Sequence, residues 1–344
     1  MEDNFDVLSD TNIPWDHLRN STVLVTGATG LVGGALIRTL SALSAKNNHS
    51  MRLIGHGRDK SKGQATARDH GMEFICGDIR VPSSLSEITG GLDYIFHCAA
   101  ITKSSDMMEK PADVITTEVD GTRNMLELAK DRDCKSFVYL SSMEVYGQTH
   151  LREVAESDLG YLDLSNPRSS YPESKRLCEM MCSAYMAQYG LPVKIARLAR
   201  TFGAGTPNDE SDMRVASQFA RKAIEGNDIE LHTLGNSIAN CCYTTDAVRG
   251  LLTILLKGKP GEAYNIANPA ASATVREMAE LVANDVCGGK IKAIINVPED
   301  LQKRGYAPDV GFTLNVDKLK ALGWAPKHGL GEMYRRMIAD WQGF

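Results

Sequence analysis

A tyrosine and a lysine four positions apart, Tyr171 and Lys175, carry the clearest chemical signal in the sequence. At this spacing near the start of a helix the two side chains share one face, so the ammonium can lie close to the phenol. A neighbouring positive charge lowers the pKa of a phenol from its usual value of about 10, which lets it exchange a proton with a substrate hydroxyl. We therefore predict that Tyr171 is a general acid and base and that Lys175 assists it.

A glycine-rich turn, Gly27-Ala28-Thr29-Gly30-Leu31-Val32-Gly33, follows a short β-branched run and precedes a segment with helical periodicity. Glycines permit a tight turn and let the backbone approach a pyrophosphate, whose negative charge is favoured at a helix N-terminus. The turn predicts a dinucleotide site. The residues expected to contact the cofactor there are Gly27, Thr29, Gly30, Leu31, Val32 and Gly33.

The end of the second strand-like run bears on the choice between NAD and NADP. An enzyme that uses NAD holds the ribose 2′-hydroxyl with a carboxylate at this point. The sequence has Gly55-His56-Gly57-Arg58 at this point, and the first carboxylate after the strand-like run is that of Asp59. The cofactor is therefore NAD or NADP, with a modest preference for NADP because Arg58 suits a 2′-phosphate.

Alternating strand-like and helical segments must position these groups. Strand-like runs occur at 21–26, 52–55, 73–76, 93–97, 136–141 and 193–198, and helical runs at 31–44, 84–88, 114–132 and 174–189. This alternation predicts an α/β fold, a Rossmann-type doubly wound parallel sheet. After residue 200 the pattern becomes less regular, with helices near 215–225, 246–256, 274–286 and 315–322. We assign 1–200 to an N-terminal helix and the dinucleotide-binding domain, and 201–344 mainly to a smaller α+β substrate-binding lobe.

The composition is that of an ordinary globular protein, 43% hydrophobic and 24% charged, and the net charge of −5 gives no reason to expect nucleic acid as a partner. The eight cysteines show no paired spacing, which suggests reduced thiols. Residues 1–20 do not read as a secretory signal, and no apolar run is long enough to span a bilayer. We expect a cytoplasmic protein without a membrane partner, and no metal site.

The order of these motifs resembles the extended short-chain dehydrogenase/reductase family, in particular its NAD-dependent epimerase/dehydratase members, from Thr22 to about Pro326. The resemblance implies that Ser142 hydrogen-bonds the reacting oxygen and that Lys175 also binds the nicotinamide ribose. It further implies cofactor contacts by Asp78, Ile79, Ala99 and Ala100. His97, beside them, is expected to be a satisfied histidine at a strand end.

Within that family the best local match is to nucleotide-sugar enzymes, UDP-glucuronate decarboxylases and sugar epimerases. Their chemistry begins with hydride transfer from the 4-position of the sugar, which gives a 4-keto-sugar. Glu144 aligns with an acidic residue of decarboxylases and 4,6-dehydratases, whereas Met143 replaces the Asp of the dehydratases and cannot donate its proton. We expect a nucleotide-sugar epimerase; the alternatives are a nucleotide-uronic acid decarboxylase and an NADP-dependent carbonyl or keto-sugar reductase.

The sequence departs from the family at several positions. Ala239 replaces an Arg expected to bind diphosphate, Arg200 replaces an Asn, and Glu118 replaces the Asn of a helix motif. The residues expected to contact substrate are Lys103, Met143, Arg200, Arg214 and Arg304. Family members dimerise through the helices that correspond to 114–132 and 174–189, so we expect a homodimer.

Overall fold

A parallel β-sheet forms the centre of the protein in a computed structural model, which describes residues 6–47, 50–209, 214–298 and 309–344. Within these residues the sheet has seven strands in the order β11-β7-β5-β4-β1-β2-β3. The strands are β1 (Thr22–Thr26), β2 (Arg52–Gly57), β3 (Glu73–Cys76), β4 (Tyr94–His97), β5 (Ser136–Ser142), β7 (Val193–Leu198) and β11 (Ala263–Ile266). The predicted Rossmann-type fold class is confirmed.

The strand order reverses between β1 and β4, which pair in parallel. From β1 the chain adds β2 and β3 toward one edge of the sheet, and from β4 it adds β5, β7 and β11 toward the other. In doubly wound sheets a ligand binds at such a switch point, outside the carboxyl ends of the strands. The glycine turn follows β1, and Ala99 and Ala100 follow β4. Both predicted cofactor segments therefore lie at the same edge of the sheet.

Helices cover both faces of this sheet, and apolar side chains fill the space between. They are α1 (Leu31–Asn47), α2 (Lys60–His70), α3 (Ser104–Glu109), α4 (Pro111–Asp131), α5 (Ser170–Tyr189) and α7 (Thr244–Lys257). One buried cluster includes Leu36, Val248 and Leu252, and the other includes Met125, Phe137 and Cys182. Cys178 and Cys182 belong to the second cluster.

Two local predictions were wrong, each for a physical reason. The helix predicted at 84–88 is a short 3-10 turn, Pro82–Leu85, in which proline occupies the first position. Helix α2 was missed because its sequence is mostly polar, with two alanines as its apolar side chains, and shows no apolar period. It is nevertheless positioned by Gly63, which lies so close to Phe74 that a Cβ would come within 2.0 Å of the ring.

A smaller lobe is built from later parts of the chain. Its sheet contains β8 (Arg200–Phe202), β10 (Ile238–Tyr243) and β12 (Asn268–Thr274), and β9 (Ile229–Leu231) pairs with β13 (Ala293–Ile295). A two-strand ladder joins β6 (Glu153–Val154) to β14 (Thr313–Leu314). The helices here are α6 (Val215–Glu225), α8 (Val275–Leu281), α9 (Asp317–Lys320) and α10 (Leu330–Gln342). Helix α10, not predicted from the sequence, buries Met333, Tyr334 and Met337 in the core of this lobe.

Residues 244–266 interrupt the smaller lobe, because they return to the central sheet between two segments of the lobe. Helix α7 packs on the central sheet, and β11 then pairs in parallel with β7, where Ala263 lies beside Ile195. Residues 268–274 leave again to join the lobe sheet. In the part of the chain that the structure describes, no helix is both long enough and apolar enough to cross a membrane.

Candidate active site

Tyr171 and Lys175 lie together on the first turns of α5, and both are almost fully buried, with 7% and 2% of their surface exposed. A 3-10 turn, Pro167–Ser169, leads into this helix, and the Asn166 side chain caps that turn. The Lys175 ammonium lies 5.7 Å from the centroid of the Tyr171 ring and 4.8 Å from that of Tyr139. The structure thus brings the predicted pair into direct proximity.

The Lys175 ammonium has two close oxygen partners. It donates to the carbonyl of Leu140 at 2.7 Å and lies 2.9 Å from Oε2 of Glu118, a side chain that is also fully buried. Burial alone would lower the pKa of Lys175, but Glu118 and Tyr171 outweigh it and raise that pKa. Lys175 is therefore held as a cation. Sequence reasoning registered Glu118 only as a departure from the family pattern and did not connect it to Lys175.

The pKa of Tyr171 is raised to about 12. Burial is the largest cause; the Lys175 ammonium and a hydrogen bond with Ser142 lower the pKa, while Glu118 and Glu144 raise it. Lys175 does lower the pKa of Tyr171, as expected, but burial and the two carboxylates raise that pKa by more. The phenol is thus protonated at neutral pH in the free protein.

Ser142 and Glu144 reach the site from the carboxyl end of β5. The Ser142 hydroxyl accepts a hydrogen bond from the Glu144 amide at 3.2 Å and caps a 3-10 turn, Met143–Tyr146. The Glu144 carboxylate is part of an ion pair with Arg168 and acts electrostatically on Tyr171. Met143 is 5% exposed and belongs to the hydrophobic core, so its side chain packs inside the protein.

The glycine turn fits a dinucleotide pyrophosphate. Gly27 has φ +65°, and a Cβ there would lie 2.9 Å from the carbonyl of Cys98, on the loop after β4. A Cβ at Gly33 would lie 2.2 Å from the Gly27 oxygen, so both positions require glycine. The 17-residue helix α1 begins at Leu31 and directs its first amides toward the turn.

The loop that carries Ala99 and Ala100 is fixed against this turn by Thr26. Its hydroxyl accepts hydrogen bonds from the amides of Cys98 and Ala99, both at 3.1 Å, and contacts a ring nitrogen of His97 at 2.8 Å. The other ring nitrogen of His97 contacts Thr122 at 3.2 Å. Burial lowers the pKa of His97 to about 3, so it is a neutral, satisfied histidine, as predicted.

A cavity of about 260 Å³ lies where the adenosine end of a dinucleotide is expected. It is lined by Arg58, Arg80, Ile101, Asp106, Lys110, Asp113 and Thr117. Both carboxylate oxygens of Asp78 are engaged by Arg80, with a shortest distance of 2.6 Å, and this side-chain hydrogen bonding lowers the pKa of Asp78. Sequence reasoning missed Arg80, although its position two residues after Asp78 was an available signal. Ile79 is buried and accepts from Asn124 through its carbonyl at 2.9 Å.

The residues expected to contact substrate are spread over several elements. Lys103 precedes α3 and lies 3.7 Å from Asp209, while Arg214 precedes α6. Arg200 is exposed on β8, where it lies beside Cys241 of β10. Ala239 is fully buried in the core of the lobe, and Arg304 lies outside the described residues. The described part of the chain holds no cluster of His, Cys, Asp and Glu suited to a metal ion.

Comparisons with known proteins agree with this geometry. Residues 23–267 match the model of the NAD dependent epimerase/dehydratase family. The chain is 30% identical over 339 residues to UDP-glucuronic acid decarboxylase 6 of Arabidopsis thaliana, an alignment that covers 94% of this chain and 89% of the relative.

Solved structures share the fold. A UDP-glucose 4-epimerase from Thermotoga maritima superposes with a TM-score of 0.79 at 22% identity, covering 94% of this chain and 99% of the other. A dTDP-glucose 4,6-dehydratase from Streptomyces venezuelae with NAD bound gives a TM-score of 0.77 at 24% identity, covering 94% and 97%.

Proposed function

The chain belongs to the NAD-dependent epimerase/dehydratase family, and we propose that within this family it decarboxylates a nucleotide-linked uronic acid through a 4-keto intermediate. The observation that carries this proposal is a second carboxylate, Glu144, whose charge acts on Tyr171. The similarity to UDP-glucuronic acid decarboxylases along nearly the whole chain supports it. We therefore propose the decarboxylase, an alternative in the sequence analysis, in preference to the epimerase expected there.

In the proposed reaction Tyr171 accepts the proton of the sugar 4-hydroxyl while Ser142 hydrogen-bonds the same oxygen. When bound, the nicotinamide supplies the acceptor for the hydride from carbon 4. Lys175, held by Leu140 and Glu118, keeps its positive charge beside the phenol. The burial of Tyr171 and Lys175 excludes water from the proton exchange.

A decarboxylase needs a second proton-exchanging group because of its proton balance. The proton that Tyr171 takes from the 4-hydroxyl returns to that oxygen when the ketone is reduced again. Carbon 5 loses carbon dioxide and must be protonated from another source. Decarboxylation consumes one proton from solvent in each turnover. Glu144, at the carboxyl end of β5 and close to Tyr171, would take up this proton and pass it to carbon 5.

The second candidate is a nucleotide-sugar 4-epimerase, and one observation favours it. Both oxygens of Glu144 are engaged by Arg168, at 3.0 and 2.9 Å, which suits a carboxylate that only orders the loop. Epimerisation returns the hydride to the opposite face of the sugar and needs no proton donor besides Tyr171. Glu144 would then be dispensable.

The cofactor of this proposal is NADP. Arg58 follows Gly57 at the end of β2, and Arg58, Arg80 and Lys110 line the same cavity. Asp106 and Asp113 line the cavity too, and Arg80 is paired with Asp78 and Asp113. Arg58 is therefore the cation that we propose for the 2′-phosphate. The NAD-bound neighbour among the solved structures is the reason to measure both cofactors.

The protein also acts as a homodimer in this proposal. Helices α4 and α5 pack against each other and expose large apolar side chains that one chain leaves uncovered. These are Ile115, Leu177, Met180 and Tyr189. An apolar surface on two long adjacent helices suits a second copy of the same pair.

The test is incubation of the purified protein with UDP-, GDP-, CDP- and dTDP-linked sugars and uronic acids, followed by mass spectrometry and NMR. Loss of carbon dioxide from a uronic acid supports the proposal, and an isomer of unchanged mass supports the epimerase. Stoichiometric consumption of added NADPH identifies a reductase and contradicts both. Tyr171→Phe should lower turnover about a hundredfold or more, the effect of losing the proton-exchanging group.

A further inference from the structure

We propose that Glu118 is a positioning residue that fixes the Lys175 ammonium and weakens its electrostatic action on Tyr171. The inference rests on the proposed function only in that Tyr171 is the proton-exchanging group. It concerns a residue of this chain that departs from the Asn of the family motif.

The geometry places Glu118 closer to Lys175 than any other charged group. Oε2 of Glu118 lies 2.9 Å from the Lys175 nitrogen, and the side chains are 0% and 3% exposed. Tyr139 donates a hydrogen bond to the same oxygen at 3.4 Å. Glu118 belongs to α4 and Lys175 to α5, so the ion pair connects the two helices beneath the site.

The second carboxylate oxygen of Glu118, Oε1, indicates that this side chain does more than stabilise the fold. Oε1 of Glu118 is buried and has no hydrogen-bond partner among the described residues. A buried oxygen without a partner destabilises the folded protein, and more so when it carries charge. An Asn or Gln would avoid burying a charge at this position. Burial raises the pKa of Glu118, while the Lys175 ammonium and the hydrogen bond from Tyr139 oppose this rise and favour the charged form. A carboxylate held beside the ammonium acts electrostatically on its neighbours in a way that an amide would not.

This effect follows from the relative distances. The ammonium lies 2.9 Å from the carboxylate but 5.7 Å from the centroid of the Tyr171 ring. At the phenol, the two opposite charges act as a dipole, whose field is much weaker than that of an isolated ammonium. Burial, opposed by Lys175 but assisted by Glu118 and Glu144, leaves the pKa of Tyr171 at about 12.

The other groups around the pair do not supply a compensating charge. They are Ser142, Tyr139, His97, Cys98, Cys178, Cys182 and Glu144. Burial keeps His97 neutral by lowering its pKa to about 3, and raises the pKa values of the three thiols. Glu144 is paired with Arg168. Glu144 also raises the pKa of Tyr171. Among these groups, however, Glu118 is the carboxylate that contacts the Lys175 ammonium, so Glu118 is the group that weakens the action of Lys175 on Tyr171.

The experiment measures the ionisation of Tyr171 directly, without substrate. The full-length protein is labelled with 13Cζ-tyrosine, the Tyr171 signal is assigned by its loss in Tyr171→Phe, and its chemical shift is followed from pH 6 to 10.5. In the wild type we expect no titration in this range. In Glu118→Gln the isolated ammonium should lower the midpoint from about 12 by about 2–3 pH units and so bring it into the range.

Glu118→Asp is the matched control, because it keeps the charge and should behave as the wild type. If Glu118→Gln does not fold, Glu118→Asn carries the same test with the family residue. Equal behaviour of the wild type and the amide variant, whether both titrate or neither does, overturns the proposal. Because no sugar is present, this outcome is independent of whether the protein proves to be a decarboxylase. With an active substrate, the acid limb of kcat/KM should also move to lower pH in the amide variant.

Discussion

Arg168 and Glu144 form an ion pair across the entrance to α5, with Nη2 of the arginine 3.0 Å from Oε1 and 2.9 Å from Oε2. The arginine comes from the turn before Tyr171, and the glutamate comes from the turn after Ser142. The ion pair therefore connects the two segments that carry the reacting side chains. Replacing Glu144 therefore tests whether its carboxylate exchanges protons or only orders these two segments.

We expect Glu144→Gln to lower decarboxylation about a hundredfold or more, because the amide cannot exchange a proton with carbon 5. The first hydride transfer should persist, and absorbance of reduced nicotinamide would accumulate when the uronic acid is added. Glu173→Gln is the control, since Glu173 also pairs with an arginine, Arg176 at 3.2 Å, in the first turn of the same helix. Unchanged product formation in Glu144→Gln would make the carboxylate structural and favour the epimerase.

We expect Arg58→Gln to weaken NADP binding about tenfold or more and to leave NAD binding nearly unchanged. A charge-assisted hydrogen bond to the 2′-phosphate contributes about 1.5–3 kcal/mol. Cofactor affinities can be measured by fluorescence quenching or calorimetry. Lys62→Gln is the control, because Lys62 lies on the adjoining helix α2 but does not line the cavity. Tighter binding of NAD than of NADP by the wild type would contradict the assignment.

We expect Met180→Asp to convert the dimer to a monomer. Met180 is 66% exposed on α5, and a carboxylate there would have to be desolvated in the apolar interface. Light scattering at micromolar concentration gives the mass. Leu234→Asp, at a position 54% exposed in the smaller lobe, should leave the mass unchanged. A monomeric mass for the wild type would rule out the interface.

We expect Arg249→Met to destabilise the protein by about 3–5 kcal/mol, the cost of removing one partner from a buried ion pair. Arg249 lies 2.8 Å from both Asp10 and Asp246, and all three side chains are buried. Arg52→Met removes the exposed pair with Glu73 and should cost about 1 kcal/mol or less. The free energies of unfolding come from urea titrations, and equal losses in the two variants would be incompatible with this difference in burial.

The same ion pair predicts how stability depends on pH. Burial raises the pKa of Asp10, but Arg249 and the Asn12 amide outweigh it, so the folded-state pKa is lowered. The stabilisation is therefore fully present above the unfolded-state value of about 3.9 and is lost as the pH falls through the folded-state pKa. In unfolding titrations from pH 6 to pH 3, Arg249→Met should lose less stability than the wild type. An equal or larger loss in the variant would count against Asp10 as the responsible group.

Features that a single short stretch of sequence determines could be predicted from the sequence. The turn at Gly27 and the pair Tyr171 and Lys175 each lie within one short segment, so spacing revealed them. The partner of Lys175 did not follow from the sequence, because Glu118 is brought to it only by the packing of α4 on α5. Burial likewise exceeds the effect of Lys175 on Tyr171, and no sequence pattern gives that balance. Helix α2 escaped prediction because its polar residues carry no period, although a glycine determines where it packs.

The return of residues 244–266 to the central sheet means that the smaller lobe consists of two separate chain segments, one before α7 and one after β11, and not of one continuous tail. A fragment that ended after residue 200 would leave the edge of β7 without β11, and an unpaired buried edge promotes aggregation. Recombination between relatives cannot transplant the lobe with one crossover. A chimera that retains the native sheet must exchange the stretch before α7 and the stretch after β11 together, from the same parent.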